Sequence, residues 1–402
     1  MTQWQDRTTG ERVKLLRGPD MTQEQLAAGA GVSVKTVQKL EQGGNLSLPF
    51  LLRIAGALGT DVSTILGQQS PRRGMDRDER SALRSMSAAV HGTAMGDIGD
   101  VEPGPLAGIR AAARQADRAM WEARYPEMGG ILSLLLPEAR ALYDSSTGEQ
   151  RTAAAGVLAD AYQTAAYASN LMGARDLAYA ALNYGRAMAV GVGDDLRAAH
   201  LSSTVAWVSL RDGNMARGLA IAEKAAASIE PRMSETDPDR LSVYGQLVTN
   251  AAVSASRGAA GADTARDWLS QTHAVAARLG REYARGQQNQ PFGPSYAATQ
   301  SLSVAIALGD HGKALRLIDT TRLDPSMPLS TLARWHLDVA LVRTETRQWD
   351  AALEALEEVC EMAPAWVRHQ ALPGVIVNRL ADVSVTKVRK VAAKAGVSLS
   401  LR

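Results

Sequence analysis

The stretch Met21 to Gly44, MTQEQLAAGAGVSVKTVQKLEQGG, constrains this chain more than any other. Thr22 stands where a hydroxyl accepts from the free N–H groups of a helix's first turn. From Gln23 to Ala30, Leu26, Ala27 and Ala30 share one face. Gly31 supplies the left-handed backbone position that ends such a helix. Val32 plugs the turn, and Ser33 caps a second helix, Val34 to Gln42, with Val37 and Leu40 inward. Gly43-Gly44 ends it. The result is two short helices joined by a tight turn, with a polar face left outward on the second.

The pattern T-Q-E-Q-L-A-x-x-A-G-V-S-x-x-T-V-x-x-L-E-x-G resembles the phage-repressor (Xre-type) DNA-binding domain, since small, turn and apolar positions agree in register. The register continues from Leu48 to Gly67, which resembles the fourth and fifth helices of that domain. The resemblance covers roughly the first 67 residues. It implies double-stranded DNA as partner, with the second helix of the motif in the major groove. Val34, Lys35, Gln38 and Lys39 face outward there. Lys donates to guanine O6/N7, Gln pairs with adenine, and Val meets a thymine methyl. Thr36 and Asn45 suit phosphates, as does Gln23 at the start of the first helix of the motif, where the helix dipole is positive. With the cap Ser33 these residues form the candidate DNA-contacting set. The resemblance also implies that Glu41 pairs with a basic residue of the preceding helix. Lys14 stands at that place, and a Lys cannot make the bidentate fork of an Arg. Val34 departs from the polar residue common in relatives, which bears on the operator sequence.

Charge adds modest support. Residues 1–73 hold nine Lys/Arg against six Asp/Glu, within a chain of net charge +2. The chain of 402 residues is 46% hydrophobic but only 4% aromatic, and rich in alanine. Small residues let helices approach closely, so the composition favours packed helices over sheets. Cys360 stands alone, which excludes an intramolecular disulfide and fits a reducing cytoplasm. Its plainest role is as a small buried apolar residue. The first residues lack the apolar core of a signal peptide, and no run approaches the length of a membrane helix. No catalytic constellation emerges. Gly309 to Ala314 is too short for a phosphate loop, and the scattered His residues form no metal pattern. No cofactor is expected, and an enzyme is not.

The expected fold is all-α: a five-helix DNA-binding domain over residues 1–68, a linker with a short helix over 69–104, and a helical-repeat domain over 105–402. The linker helix is expected over Ser81 to His91. Arg72-Arg73, in the polar stretch before it, suits a phosphate flanking the operator. Leu106 to Arg124, Ile131 to Tyr143 and Thr152 to Met172 show helical spacing. A degenerate repeat then appears, in which a helix ends in a small or polar turn before an Ala-rich helix. The turns are Leu171-Met172-Gly173, Arg211-Asp212-Gly213, Gly309-Asp310 and Gln348-Trp349, with a weaker copy from Arg257 to Leu269. Leu332 to Ala365 forms a 34-residue unit whose Ala352, Leu356 and Pro364 fit a tetratricopeptide (TPR) repeat.

This half of the chain resembles a TPR-like solenoid, whose concave side binds extended peptides or protein segments. A DNA-binding head followed by such repeats is similar in architecture to peptide-pheromone receptors. That resemblance implies a peptide or protein ligand held by amide side chains. Asn170 and Asn250, with Arg211, Tyr244 and Gln246 nearby, are the candidate ligand-binding residues; the same positions also suit ordinary polar surface. Trp207, Trp268 and Trp335 read as inter-helix core. The basic and apolar C-terminal stretch suits either a capping helix or a dimerisation helix. A homodimer is expected because two half-sites multiply the affinity of a module with few base contacts. The alternative is a protein-interaction scaffold in which DNA binding is secondary.

Overall fold

The computed structural model describes residues 7–19, 21–44, 46–66, 75–285, 291–381 and 385–397. Among these the fold is all-α, with no strand beyond one isolated bridge between Tyr283 and Phe292. An N-terminal head of five helices comprises α1 (Thr9–Arg17), α2 (Gln23–Ala30), α3 (Val34–Glu41), α4 (Leu48–Ala57) and α5 (Val62–Ile65). Val13, Val37 and Ile54 are fully buried at its centre. Arg12 ties the two ends of the head together: its guanidinium donates to the carbonyls of Ile65 and Leu66, each at 2.8 Å. These are carbonyls that the last turn of α5 leaves without helical donors.

The helical body begins with α6 (Arg77–Met95), α7 (Leu106–Trp121) and α8 (Tyr125–Ser145). The short linker helix expected over 81–91 is thus extended at both ends. Asp76 caps it in a capping box with Glu79. Its buried Ala82, Met86 and Val90 pack on α8. Much of the expected linker therefore belongs to the packed body. The polar run DRDER masked this: Arg77, Asp78 and Arg80 are exposed, but Glu79 within it is buried against the body.

Five helix pairs follow: α9 (Gly148–Leu171) with α10 (Arg175–Gly191), α11 (Asp195–Arg211) with α12 (Met215–Ser228), α13 (Pro238–Arg257) with α14 (Gly261–Leu279), α15 (Pro294–Leu308) with α16 (His311–Thr320), and α17 (Leu329–Glu345) with α18 (Trp349–Met362). A left-handed residue makes the turn inside four of the pairs. These are Gly173, Gly213, Gly309 and Arg347, with φ of 74°, 79°, 75° and 63°. The Asn and Asp that follow two of these glycines cap the next helix: Asn214 accepts from the Arg217 N–H and Asp310 from the Lys313 N–H. Each pair buries its apolar face on the next, giving a solenoid-like stack. Charged pairs also lie inside it, among them Arg197, which donates to Asp160 at 2.9 Å.

The stack closes on itself. α19 (Pro364–Val367), α20 (Leu372–Ala381) and α21 (Val385–Lys394) follow the five pairs. His369, just past α19, lies 3.2 Å from the Glu79 carboxylate of α6 and edge-on to Tyr125 of α8. The C-terminal stretch caps the chain's own body. Val388, Val391 and Ala392 of α21 are buried, and Lys394 bonds Glu357 and Glu361 of α18.

The head is docked on this body. Leu48 and Leu52 of α4 join the body's core. Asp61, which caps α5, accepts from Arg175 at 3.1 Å, and Arg175 also reaches Asp212 at 3.1 Å. Burial alone would raise the Asp61 pKa, but Arg175 and the Thr64 donors hold it below the usual carboxylate range. The fit is close at Gly213, where a Cβ would stand 2.1 Å from the Thr60 carbonyl oxygen.

Candidate functional site

The two helices of the opening motif form as their caps dictate. The Thr22 hydroxyl accepts from the Gln25 N–H at 3.2 Å, and Gly31 turns the chain at φ 61°, ψ 38°. The Ser33 hydroxyl accepts from the Thr36 N–H at 3.1 Å and pairs with the Thr36 hydroxyl at 2.8 Å. Val37 and Leu40 seat α3 in the head core. α1 crosses α3 closely at Gly10, where a Cβ would lie 2.3 Å from the Leu40 carbonyl oxygen.

This seating leaves a basic face outward. Ser33, Lys35 and Lys39 are exposed, while Val34, Thr36 and Gln38 are half-buried. Val34 also packs against the head core, so only part of it faces outward. The Gln23 side chain does not stand free for a phosphate: its amide donates to Glu41 at 2.7 Å. Asn45 and Arg72-Arg73 lie outside the described residues. The partner of Glu41 is Arg17, not Lys14. Arg17 forks onto the carboxylate through Nε at 2.8 Å and Nη2 at 3.4 Å. It stands one turn further along α1, on the same face as Lys14, and its planar guanidinium spans both carboxylate oxygens. Burial would raise the Glu41 pKa, but the bonds from Arg17 and Gln23 bring it below the ordinary value.

Residues 14–65 match the helix-turn-helix family. The helix-turn-helix domain so matched runs from mid-α1 to the end of α5, and it is of the kind found in DNA-binding regulators. No curated protein and no solved structure matches the chain. No helix among the described residues is long and apolar enough to cross a membrane.

A second feature lies in the body behind the helix-turn-helix domain. The first helices of the five pairs, α9, α11, α13, α15 and α17, surround a cavity of about 170 Å³, closed by α7 and Trp366 of α19. Three of the expected ligand residues line it: Arg211, Gln246 and Asn250. The other two are elsewhere. Tyr244 packs in a separate core with Phe292 and bonds Gln271 at 3.4 Å. Asn170 is buried in α9, with both ends of its amide unpartnered, but is not part of the cavity wall. Trp207, expected as core, lines the cavity; Trp335 is core, and Trp268 packs partly buried against a separate core that holds Leu247, Val275 and Phe292.

The cavity walls are aromatic and its charge is positive. Trp121, Tyr167 and Trp207 form a row with centroids 5.4 and 5.3 Å apart, and Tyr296 and Trp366 add two more rings. The Arg211 guanidinium lies 5.4 Å from the Trp207 ring. Arg257 and Arg334 line the same space, and the only carboxylate there among the described residues, Asp338, is held by Arg334 at 3.1 Å. Burial, reinforced by neighbouring guanidinium groups, pushes both Arg211 and Arg257 down to about 10. Sequence reasoning passed over Arg257 and Arg334. A signal was present for the first: Arg211 and Arg257 each end the first helix of a pair. His200 supports the floor by bonding Gln246 at 3.0 Å, and burial lowers its pKa to about 3.

Proposed function

We propose that this chain is a sequence-specific transcriptional regulator of the cytoplasm, in which the TPR-like helical body dimerises and takes a regulatory ligand. The observation that carries the reading is the outward basic face of α3. Lys35 and Lys39 are exposed, with Val37 and Leu40 beneath them holding the helix in place. Gln38 and the exposed part of Val34 extend that face, and Ser33 and Thr36 lie at its edge, as residues that reach base edges and phosphates do. Dimerisation follows from the small number of base contacts one such helix makes. A head packed on a body with its own cavity gives a ligand a route to the geometry of two paired heads. The route works only if the ligand binds two arrangements with different affinity.

The test replaces both lysines, Lys35→Ala with Lys39→Ala, after an operator has been found by genome-wide footprinting. Specific affinity is expected to fall roughly a hundredfold, at about 1–3 kcal/mol for each lost base contact. Full operator affinity in a folded double variant refutes the assignment of α3 as the reading helix.

A further inference from the structure

The inner cavity has a chemistry of its own. Three guanidinium groups and one carboxylate line it, so its wall carries a net positive charge. Among the described residues no carboxylate pairs with Arg211 or Arg257. Arg257 keeps one bond, from Nη2 to the Ser303 hydroxyl at 3.0 Å. The polar atoms left without partners are mostly donors: Arg257 Nε, Gln246 Nε2 and Trp121 Nε1, with the Ser330 hydroxyl beside them. Gln246 is only 3% exposed, and its carbonyl end is already engaged by His200. Orphaned buried donors cost free energy until an acceptor meets them. Unpaired buried cations cost more. Both deficits are met by one kind of group, an oxyanion.

The rest of the wall defines the body of the ligand. Aromatic rings on several helices enclose the space, and planar faces of this kind take a planar apolar group. A cavity of about 150 Å³ holds a benzene molecule, and this one is about 170 Å³. That is room for one ring and a small substituent, and too little for an extended peptide of several residues.

We propose that the cavity binds a small aromatic carboxylate, its ring between Trp121, Trp207 and Tyr296 and its carboxylate on Arg211 and Arg257. The inference rests on the ligand-sensing reading above and gives it a chemical class. The position of the site also shows what the ligand touches beyond itself. Arg211 is the last residue of α11; Asp212 follows and bonds Arg175, and Gly213 lies against Thr60 of the head. An anion on Arg211 therefore acts on the charge network that holds Asp61, within two residues of the head contact.

The experiment is calorimetric titration of the full chain with benzoate, phenylacetate and indole-3-acetate as probes, with benzamide as the neutral control. At least one carboxylate is expected to bind saturably and benzamide is not. Arg211→Gln and Arg257→Gln are each expected to weaken that binding roughly tenfold to a hundredfold, as loss of a charge-assisted contact does. Circular dichroism checks that both variants fold, and the comparison of benzoate with benzamide needs no variant at all. Equal binding of the acid and the amide overturns the proposal, as does undiminished binding by both folded variants. So does a short-peptide pool that binds where none of the carboxylates does. A parallel measurement of operator affinity with and without the bound carboxylate separates the two readings. Binding without any change in operator affinity leaves the site standing and removes the regulatory role.

Discussion

Replacing Gly213 by alanine tests whether the DNA-binding head is held by the body. The new Cβ would lie 2.1 Å from the Thr60 carbonyl oxygen and 2.7 Å from its carbon. An unstrained C···O contact is about 3.3 Å or more, so the head has to retreat by roughly 1 Å. Gly213 also sits at φ 79°, where alanine costs about 1–2 kcal/mol regardless of neighbours. Gly193 separates these two effects. It sits at φ 71° with open space where its Cβ would go. Gly193→Ala should therefore lose about 1–2 kcal/mol of stability and leave the head undisturbed. Gly213→Ala should lose the same plus the docking contacts. Chief among these is the partly exposed Arg175–Asp61 bond, at about 1 kcal/mol. The assay pairs urea unfolding of the full chain with hydrogen exchange read by mass spectrometry. Exchange should rise in α4 and α5 for Gly213→Ala and stay unchanged there for Gly193→Ala. Identical stability and identical exchange for the two variants would refute the docking argument.

Two further outcomes follow from buried groups. Arg17→Ala strands Glu41, whose side chain is 5% exposed, and should cost about 2–3 kcal/mol in urea unfolding, with Arg17→Lys restoring only part; Lys14→Ala costing as much as Arg17→Ala would reverse the assignment of the partner. His200 is held neutral, with its pKa lowered to about 3. An unfolded chain takes up that proton as pH falls below about 6.5, so stability is complete above that pH and erodes down to about 3, by about 1.4 kcal/mol per unit. Unfolding free energies measured from pH 7 to 5 should slope less in His200→Asn, and an unchanged slope would place the titration elsewhere.

The head was legible residue by residue because its signals are local. Thr22, Gly31 and Ser33 act within one turn of themselves, and each cap appears where its side chain predicts. The repeat turns were legible for the same reason, since Gly173, Gly213 and Gly309 mark positive φ. Arg347 does the same job without a glycine, and its turn was located from the pattern of its neighbours. What failed was non-local. Lys14 and Arg17 lie on one face of α1, and only the crossing of α1 over α3 decides which of them meets Glu41. The cavity draws its wall from seven helices. Spacing within any one of them says which residues face inward but not that the inward faces meet. Hence Arg211, Gln246 and Asn250 were placed near a ligand, while Tyr244, on the same helix as the last two, points into a different core.

The contact between His369 and Glu79 joins residues 290 positions apart. During synthesis α6 is complete long before its partner leaves the ribosome. For most of that time the nascent body is an open spiral, stabilised by neighbour-to-neighbour stacking alone. Trp366 and Gln370 are made after every other lining residue, so the cavity acquires its final wall after the helices that surround it. Closure of so long a loop is slow relative to stacking. A ligand present at that moment would meet an unfinished pocket and could speed or trap its closing. The order of manufacture thus gives the pocket an open form that precedes the closed one.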